Sequence, residues 1–336
     1  MIWGRCTSGP FFYILQQIQR TVIITVGMCT YNSEKYLPEQ LETIIHQTLR
    51  VNEIVVIDDA STDQTIDILN DYVKRYPDLF RIIRNEKNMG ARKNFERALA
   101  ESKGEIIFLS DHDDYWMPEK VAKVVAYFNS HPQDKVVFTN AMFMDENSAS
   151  LPSTLWDVVG FTPAVRAYAQ TKDDLLRYLL KHGRIVTGAT LALRKESLGQ
   201  ILPFRLMHKI WHDAWIALVA ANAKMLGYIE EPLIRYRVHS KQQVGYGYME
   251  KIKGNNAVPV LQMKELKGET GDEELIQLIH VRRKRVRLVK RLSRFIQVDP
   301  VIKAEILQER KASEKAFSRA KSLPVRLLES FRKMFK

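Results

Sequence analysis

From residue 22 onward, short apolar runs of strand length alternate with segments whose apolar residues recur every three or four positions. "VIITVGM" is followed by Leu37, Leu41, Ile44 and Ile45 at helical spacing, "EIVVID" by Ile66, Leu69 and Val73, and "FRIIRN" by Phe95, Ala98 and Leu99. "EIIFLS" then precedes Val121, Val124, Val125 and Phe128, and "KVVFTNAMF" closes the series. This succession predicts an α/β fold, a mostly parallel sheet flanked by helices on both faces. Further on stand "VTGATLALRKE", a helical "WHDAWIALVAANA" and a strand-and-loop unit "YIEEPLIRYRVHSKQQVG", with no internal repeat.

Open sheets of this kind bind ligands beyond the carboxyl ends of their strands. The candidates are therefore the polar residues that directly follow each run: "CTYNSE", "DDASTD", "NEKNMGARKN" and "SDHDD". Asp111, Asp113 and Asp114 crowd three carboxylates into four positions, which repel unless a cation sits among them. With Ser110 and His112 they suit Mg²⁺ or Mn²⁺, ions held by one or two carboxylates and completed by water and phosphate oxygens. As residues alone, the same aspartates could instead cap a helix starting near Pro118.

In "DDASTD", Ser61 or Thr62 can cap the next helix, and Asp58 or Asp59 can accept hydrogen bonds from a base or ribose. Thr30, Tyr31 and Asn32 follow the first strand, where an aromatic ring could stack on a base. Gly90 could bring backbone close to a ligand while Lys93 offers charge to a phosphate. "NEKNMGARKN" holds neither G-x-G-x-x-G nor G-x-x-x-x-G-K-[ST], which argues against a dinucleotide oxidoreductase and a P-loop NTPase. "WHDAW" sets Asp213 between Trp211 and Trp215, a carboxylate able to act as general base beside rings that stack on sugars; it also reads as an ordinary first-turn acid. His239 is a metal or phosphate ligand, or a structural histidine.

Charge changes the picture only at one end. The formal net charge is +12 over 336 residues, but residues 281–336 hold 18 Lys and Arg against 5 acidic residues, leaving 33 basic and 34 acidic before them. "VRRKRVRLVKRLSRF" and "FSRAKSLPVRLLESFRKMFK" interleave these cations with Leu, Val and Phe as in helices lying on an anionic membrane, or in a solvated helical bundle. Two cysteines, Cys6 and Cys29, make a disulfide framework improbable, and no apolar run approaches a bilayer span. These features lead us to expect a reducing, cytoplasmic location.

Taken together, in order, "TYNSEKYLPEQLETI", "VVIDDASTDQT", "NMGARKNFERAL", "GEIIFLSDHDDYW", "VTGATLALRKE", "WHDAWIALVA" and "EPLIRYRVHSKQQVG" resemble the successive signatures of the family 2 glycosyltransferases. The resemblance implies a nucleotide-diphospho-sugar transferase fold of GT-A type over 21–245, with an N-terminal extension at 1–20 and a basic helical region at 246–336. It carries Thr30, Tyr31, Asn32, Glu34 and Asp59 over as the nucleotide set, with Asp58 beside them; Gly90, Lys93, Asp111 and His112 are counted with them as donor-binding candidates. Asp111 and Asp113 match the D-x-D that meets the metal, Asp213 the catalytic base, and His239 a position that helps metal or diphosphate. Two departures stand out: Ala60, where glycine is usual and which would demand a turn without positive φ, and His212 before Asp213, where Glu is common.

The implied reaction is an inverting, metal-dependent transfer from a nucleoside-diphosphate sugar to a hydroxyl of a glycan or lipid-linked acceptor. "SDHDDYW", "HDAW" and "YRVHSKQQVG" are also similar to bacterial rhamnosyltransferases of surface-polysaccharide synthesis, which makes dTDP-rhamnose a candidate donor and the inner membrane face a candidate location. A nucleotide-sugar-forming nucleotidyltransferase is the nearest rival. A nucleic-acid-binding protein gripping phosphates with the tail is the rival from another class, and the near-neutral body speaks against it, so no nucleic-acid partner is expected.

Overall fold

The computed structural model describes residues 22–182, 185–205, 210–240, 242 and 272–319. The expected N-terminal extension at 1–20, and the parts of the basic region at 246–271 and 320–336, lie outside the described residues. The chain divides into two compact units, Met1–Val137 with Gly188–Gly199, and Phe138–Thr187 with Gln200–Lys336.

The first unit follows the alternation read from the sequence: β1 (Ile24–Thr30), α1 (Leu37–Ile45), β2 (Glu53–Asp58), α2 (Thr65–Arg75), β3 (Phe80–Arg84), α3 (Ala91–Glu101), β4 (Ile106–Ser110), a two-residue β5 (Tyr115–Trp116) and α4 (Lys120–Ser130). Every residue of β1 and β4 is buried, as expected of strands covered on both faces. The strands lie in the order β3-β2-β1-β4, all parallel, and β8 (Leu191–Arg194) continues the set antiparallel to β4. Pairing runs from β1 outward to β2 and β3 on one side and to β4 on the other, so the order reverses between β1 and β4. That reversal is the switch point at which the loops diverge and leave a crevice.

Register then decides which residues stand at the crevice. Thr30 pairs with Asp58 and Asp58 with Arg84, a row across three strand ends, while Ser110 pairs with Met28. The loops after β1 and β4 therefore emerge side by side. At the opposite edge Gly104 brings the chain hard against β1: its N–H donates to Thr25 Oγ1 at 2.8 Å, and a Cβ there would lie 2.6 Å from Thr25 N and 2.8 Å from the Ile23 carbonyl.

The second unit holds most of β6 (Val136–Met144), its antiparallel partner β7 (Ser150–Thr154), α5 (Leu155–Val159), α6 (Pro163–Tyr168), α7 (Lys172–His182), the end of α8 (Leu198–Ile201), α9 (His212–Asn222), β9 (Leu226–Arg237), α10 (Asp272–Leu292) and α11 (Pro300–Arg319). Trp156, Phe161 and Tyr228 meet edge to face with centroids 4.9 to 5.7 Å apart and form its aromatic centre.

The basic C-terminal region packs differently from the membrane-facing helices considered above. Val286, Val289, Leu292, Ile302 and Ile306 are buried in the unit. Arg177 pairs with Glu305 at 2.8 Å, Lys181 with Glu309 at 2.8 Å and Arg283 with Glu314 at 3.1 Å, while Arg285 Nε donates to the Lys181 carbonyl at 2.8 Å. Over the described parts of α10 and α11 the apolar stripe faces the protein interior, and several of the cations are held by α7 and α11. Among the described residues no helix is long and apolar enough to cross a membrane.

Because a Cβ at position 104 has backbone on two sides and no flexible neighbour to displace, Gly104→Ala is expected to cost roughly 2 kcal/mol or more. Urea unfolding monitored by circular dichroism checks this, with an unchanged midpoint as the contrary result.

Candidate functional site

The crevice of the first unit is framed by two adjacent buried carboxylates at the end of β2. Asp58 accepts from Thr30 Oγ1 at 3.0 Å, from Ser61 N at 3.0 Å and from Ser61 Oγ at 2.5 Å. Arg84 adds charge, with Nε 3.7 Å from Asp58 Oδ2 and a second nitrogen donating to the Ser61 carbonyl at 2.8 Å. Asp59 faces the next loop and accepts from Met89 N at 2.7 Å, Asn85 Nδ2 at 2.8 Å and Gly90 N at 2.9 Å. Burial alone would raise its pKa, but the hydrogen bonds from Met89, Asn85, Asn94 and Gly90 outweigh that and hold it below the ordinary 3.8.

Directly after these carboxylates Ala60 has φ of +62°. The expectation that alanine here demands a turn without positive φ is overturned. Clamping on both sides enforces the left-handed turn: the Asp59 N–H donates to the Thr30 carbonyl at 2.9 Å, and Ser61 is tied to Asp58. An L-residue pays about 1 kcal/mol for that conformation.

The loops after β1 and β2 are stapled residue by residue. Asn32, itself at φ +49°, receives the Thr62 N–H at 2.9 Å and donates its own N–H to Ser61 Oγ at 3.0 Å. Ser33 N donates to Thr65 Oγ1 at 2.7 Å, Glu34 N to Asp63 Oδ2 at 3.1 Å, and Gln64 N to Glu34 Oε2 at 3.0 Å. Neither Ser61 nor Thr62 caps α2, as the sequence suggested. The helix starts at Thr65, and Asp63 receives its first N–H at 3.0 Å. Tyr31 is left 44% exposed on the rim, a ring face available for stacking. Gly90, at φ +82°, precedes α3, and Lys93 in its first turn is exposed.

On the other side of the switch point the acidic loop leaves β4. Ser110 Oγ donates to the Asp111 carbonyl at 2.7 Å and accepts from Gln40 Nε2 at 3.0 Å. Thr43 Oγ1 receives Trp116 N at 3.1 Å, Gln47 Nε2 donates to the Met117 carbonyl at 2.8 Å, and Thr48 N donates to the Pro118 carbonyl at 2.9 Å. Residues 40, 43 and 47 share one side of α1 and its extension, so α1 buttresses the whole loop. Asp113 and Asp114 are buried, and Asp111 and His112 are half-buried. The capping alternative fails: α4 begins after Glu119 with no side-chain cap. The Cys29 thiol, a free cysteine in β1, is pushed well above its ordinary value by burial, then by the charges of Asp111 and Asp59. Both halves of the crevice thus act on one strand.

Asp111 and Asp113 supply hard oxygen donors, and among the described residues no three His, Cys, Asp or Glu side chains converge as a full cage. Such a pair fits Mg²⁺ or Mn²⁺, which takes its remaining ligands from water and phosphate.

Asp213 and His239 belong to the second unit. Asp213 lies in the first turn of α9, half-exposed, with Oδ1 2.6 Å from Ala214 N. His239 follows β9, its N–H donating to Gln242 Oε1 at 3.3 Å. Trp215 cannot serve as a sugar platform: it is 1% exposed, and its indole N–H donates to the Ile201 carbonyl at 2.9 Å.

A family model described as glycosyl transferase family 2 matches residues 25–202, more than half of the chain. The chain belongs to glycosyl transferase family 2. This family 2 chain is 30% identical over 230 residues to the dTDP-rhamnosyl transferase RfbG of Shigella flexneri, covering 65% of this chain and 73% of that protein. Its fold is that of S. aureus TarS 1–349 solved with UDP-GlcNAc, at TM-score 0.53 and 19% identity over 89% of this chain and 74% of that one. The mannosyltransferase PcManGT of Pyrobaculum calidifontis, solved with GDP-Man and Mn²⁺, matches at TM-score 0.50 and 18% identity over 94% and 80%. The family 2 chain spans 61% of the length of the uncharacterized Mycobacterium proteins it also matches.

Sequence reasoning passed over Asn85, Arg84, Gln40, Gln47 and Lys120. For Lys120 the signal was present: it stands four and eight residues before Val124 and Phe128, on the face of α4 that is buried. Its side chain is fully buried, with Nζ donating to the Ala189 carbonyl at 2.9 Å and lying 3.8 Å from the centre of the Trp116 ring.

Two outcomes follow from this geometry. Ala60→Gly should raise stability by about 0.5–1 kcal/mol through relief of the positive φ, less the added freedom of the unfolded chain, read as a higher calorimetric Tm. Asp59→Asn should lower the Tm at pH 7. Asp59 has a depressed folded pKa, so its ionised form stabilises the fold above pH 3.8, the ordinary value, and that stability is lost as pH falls through the folded value. The gap between wild type and variant should close over that acid range, and a gap independent of pH contradicts the assignment.

Proposed function

We propose that this chain is an inverting, divalent-metal-dependent glycosyltransferase, moving a sugar from a nucleoside-diphosphate donor to a hydroxyl of a glycan or lipid-linked acceptor in cell-surface polysaccharide synthesis. The observation that carries the reading is the paired loop system at the β1/β4 switch point. Exposed Tyr31 and the stapled β1 and β2 loops stand on one side, Asp111 and Asp113 on the other. One side suits a nucleoside and the other the cation that accompanies a diphosphate. Similarity to a dTDP-rhamnosyl transferase supports rhamnose as the sugar, and the solved mannosyltransferase with GDP-Man and Mn²⁺ supports the nucleotide-sugar and metal reading.

In this reading Tyr31 stacks on the base, while Thr30, Asn32, Glu34, Asp58 and Asp59 shape the nucleoside side. Gly90 and Lys93 border it, and His112 lies between the two D-x-D carboxylates. Asp111 and Asp113 would hold the divalent ion, which supplies positive charge against the diphosphate, and His239 assists that ion or the diphosphate. Asp213 takes the proton from the acceptor hydroxyl as its oxygen bonds to the anomeric carbon. The bond from that carbon to the diphosphate oxygen breaks on the opposite face, so configuration inverts and no covalent enzyme intermediate forms. The setting is the cytoplasmic face of the membrane, where donor and lipid-linked acceptor can meet.

A thermal-shift panel of UDP-, GDP- and dTDP-sugars with and without Mn²⁺ tests the donor site, since a ligand of the folded state raises its stability with affinity. Asp213→Asn is expected to keep the donor-induced shift while losing roughly 10²- to 10⁴-fold in transfer rate. Asp113→Ala is expected to lose the Mn²⁺-dependent part of the shift. Transfer by Asp213→Asn at the wild-type rate sinks the proposed base, and release of pyrophosphate from a nucleoside triphosphate would point to nucleotidyl transfer instead.

A further inference from the structure

The cations of α10 fall into two sets on opposite sides of the helix. Arg282 and Arg285 lie with Val286, Val289 and Leu292 on the inner side, where Arg282 donates to the Glu309 carbonyl at 3.1 Å and Arg285 to the Lys181 carbonyl at 2.8 Å. Arg283, between the two sides, pairs with Glu314. Lys284, Arg287, Lys290 and Arg291 recur at three- and four-residue spacing on the outer side, all exposed, and exposed Arg294 extends the row into the turn after the helix. Among the described residues these five side chains make no ion pair.

The row ends on two exposed apolar side chains at the α10–α11 corner, Phe295 at 49% and Val301 at 61%. Asp299, the acid of that turn, is spent inside it: it accepts the N–H groups of Val301 at 2.8 Å and Ile302 at 3.1 Å as the cap of α11. The corner is also fastened to α9. The Phe295 ring meets Trp215 edge to face at 6.3 Å, and the Gln297 carbonyl accepts from Asn222 Nδ2 at 2.9 Å.

We propose that this corner and the outer side of α10 dock on an anionic lipid surface: Lys284, Arg287, Lys290, Arg291 and Arg294 take lipid phosphates, and Phe295 and Val301 enter the headgroup layer beside them. Cations alone suit any polyanion. A cation row that ends in exposed apolar side chains suits an interface that is charged outside and apolar within. The arrangement differs from a helix sunk in lipid by its apolar stripe, because that stripe of α10 is spent on the protein core and the outer cations and the corner are left for the membrane. Docking there fixes the attitude of α9, which the corner grips at Trp215 and Asn222. Asp213, two residues before Trp215, is thereby held at a set distance from the membrane, where a lipid-linked hydroxyl presents itself. This last consequence rests on the reading of Asp213 as the base; the docking does not.

The test is co-sedimentation of the full chain with vesicles of phosphatidylcholine, alone or with about 30% phosphatidylglycerol, in about 0.1 M NaCl without nucleotide sugar or metal. Binding is expected to the anionic vesicles only, and to fall at least about tenfold in roughly 0.5 M NaCl. The triple variant Arg287→Gln, Lys290→Gln, Arg291→Gln should bind them roughly 100-fold more weakly. A control that removes the same charge from exposed positions of the first unit, Lys74→Gln, Lys103→Gln, Lys195→Gln, should stay within about twofold of wild type. Phe295→Ala and Val301→Ser should each weaken binding about threefold. If the triple variant does not fold, Lys290→Gln and Arg291→Gln decide singly, each expected to bind about fivefold more weakly. Wild-type binding to neither vesicle, or equal losses in the triple variant and the control, overturns the proposal. Binding to single-stranded RNA that the triple variant loses, with vesicle binding unchanged by Phe295→Ala and Val301→Ser, assigns the row to nucleic acid and overturns it as well. Because no donor is present, a failed vesicle result leaves the donor thermal shift untouched, and a failed donor shift leaves the docking untouched.

Discussion

Two neighbouring carboxylates at the end of one buried strand hold the candidate site in shape. Asp58 gathers the loops after β1 and β2, and Asp59 gathers the loop after β3. Both are buried, so each must be satisfied by hydrogen bonds or charge, and the partners that satisfy them are the backbone and side chains of those loops. The demand of a buried charge for donors thus becomes a constraint on loop conformation. Its local side effect is visible at Ala60, driven into a left-handed turn between two tethered neighbours.

The other side of the switch point solves a related problem by other means. There the acidic residues stand in the loop itself, and support comes from outside it: a polar side of α1 receives from and donates to the backbone of its continuation. Thr43 and Gln47 act on the backbone that continues the acidic loop, and Gln40 on the Ser110 hydroxyl at its start. The carboxylates that face the proposed cation are therefore held through their chain as well as through their own atoms.

Much of the first unit was legible in the sequence because its strands are short, unbroken apolar runs and its helices carry apolar residues at clean helical spacing, as with Leu37, Leu41 and Ile44. The placement of polar candidates followed from one topological rule, and the register of β1, β2 and β4 puts Thr30, Asp58 and Ser110 at strand ends. The roles of individual side chains were less legible. Asp58 and Asp59 read as ligands, since nothing local says that Ser61 or Gly90 will bond to them. Ala60 read as an obstacle to positive φ because propensity was weighed without the tethers. Trp215 read as a ring for stacking on sugars, although the "WIALVAA" that it opens is apolar on every side, the mark of a buried helix. The C-terminal cations read as a surface charge, because the partner of Arg283 on α11 lies 31 residues away and the acceptor of Arg285 on α7 lies 104 away.

The stapling of the β1 and β2 loops also bears on the thermodynamics of recognition. Asn32, Ser33 and Glu34 are fixed to Ser61, Thr62, Asp63, Gln64 and Thr65 by the protein itself. The conformational entropy of that rim is surrendered when the chain folds, not when a ligand arrives. Recognition on this side is then closer to a rigid mould than to a loop closing over its guest, and discrimination between bases rests on shape and stacking against a surface already set.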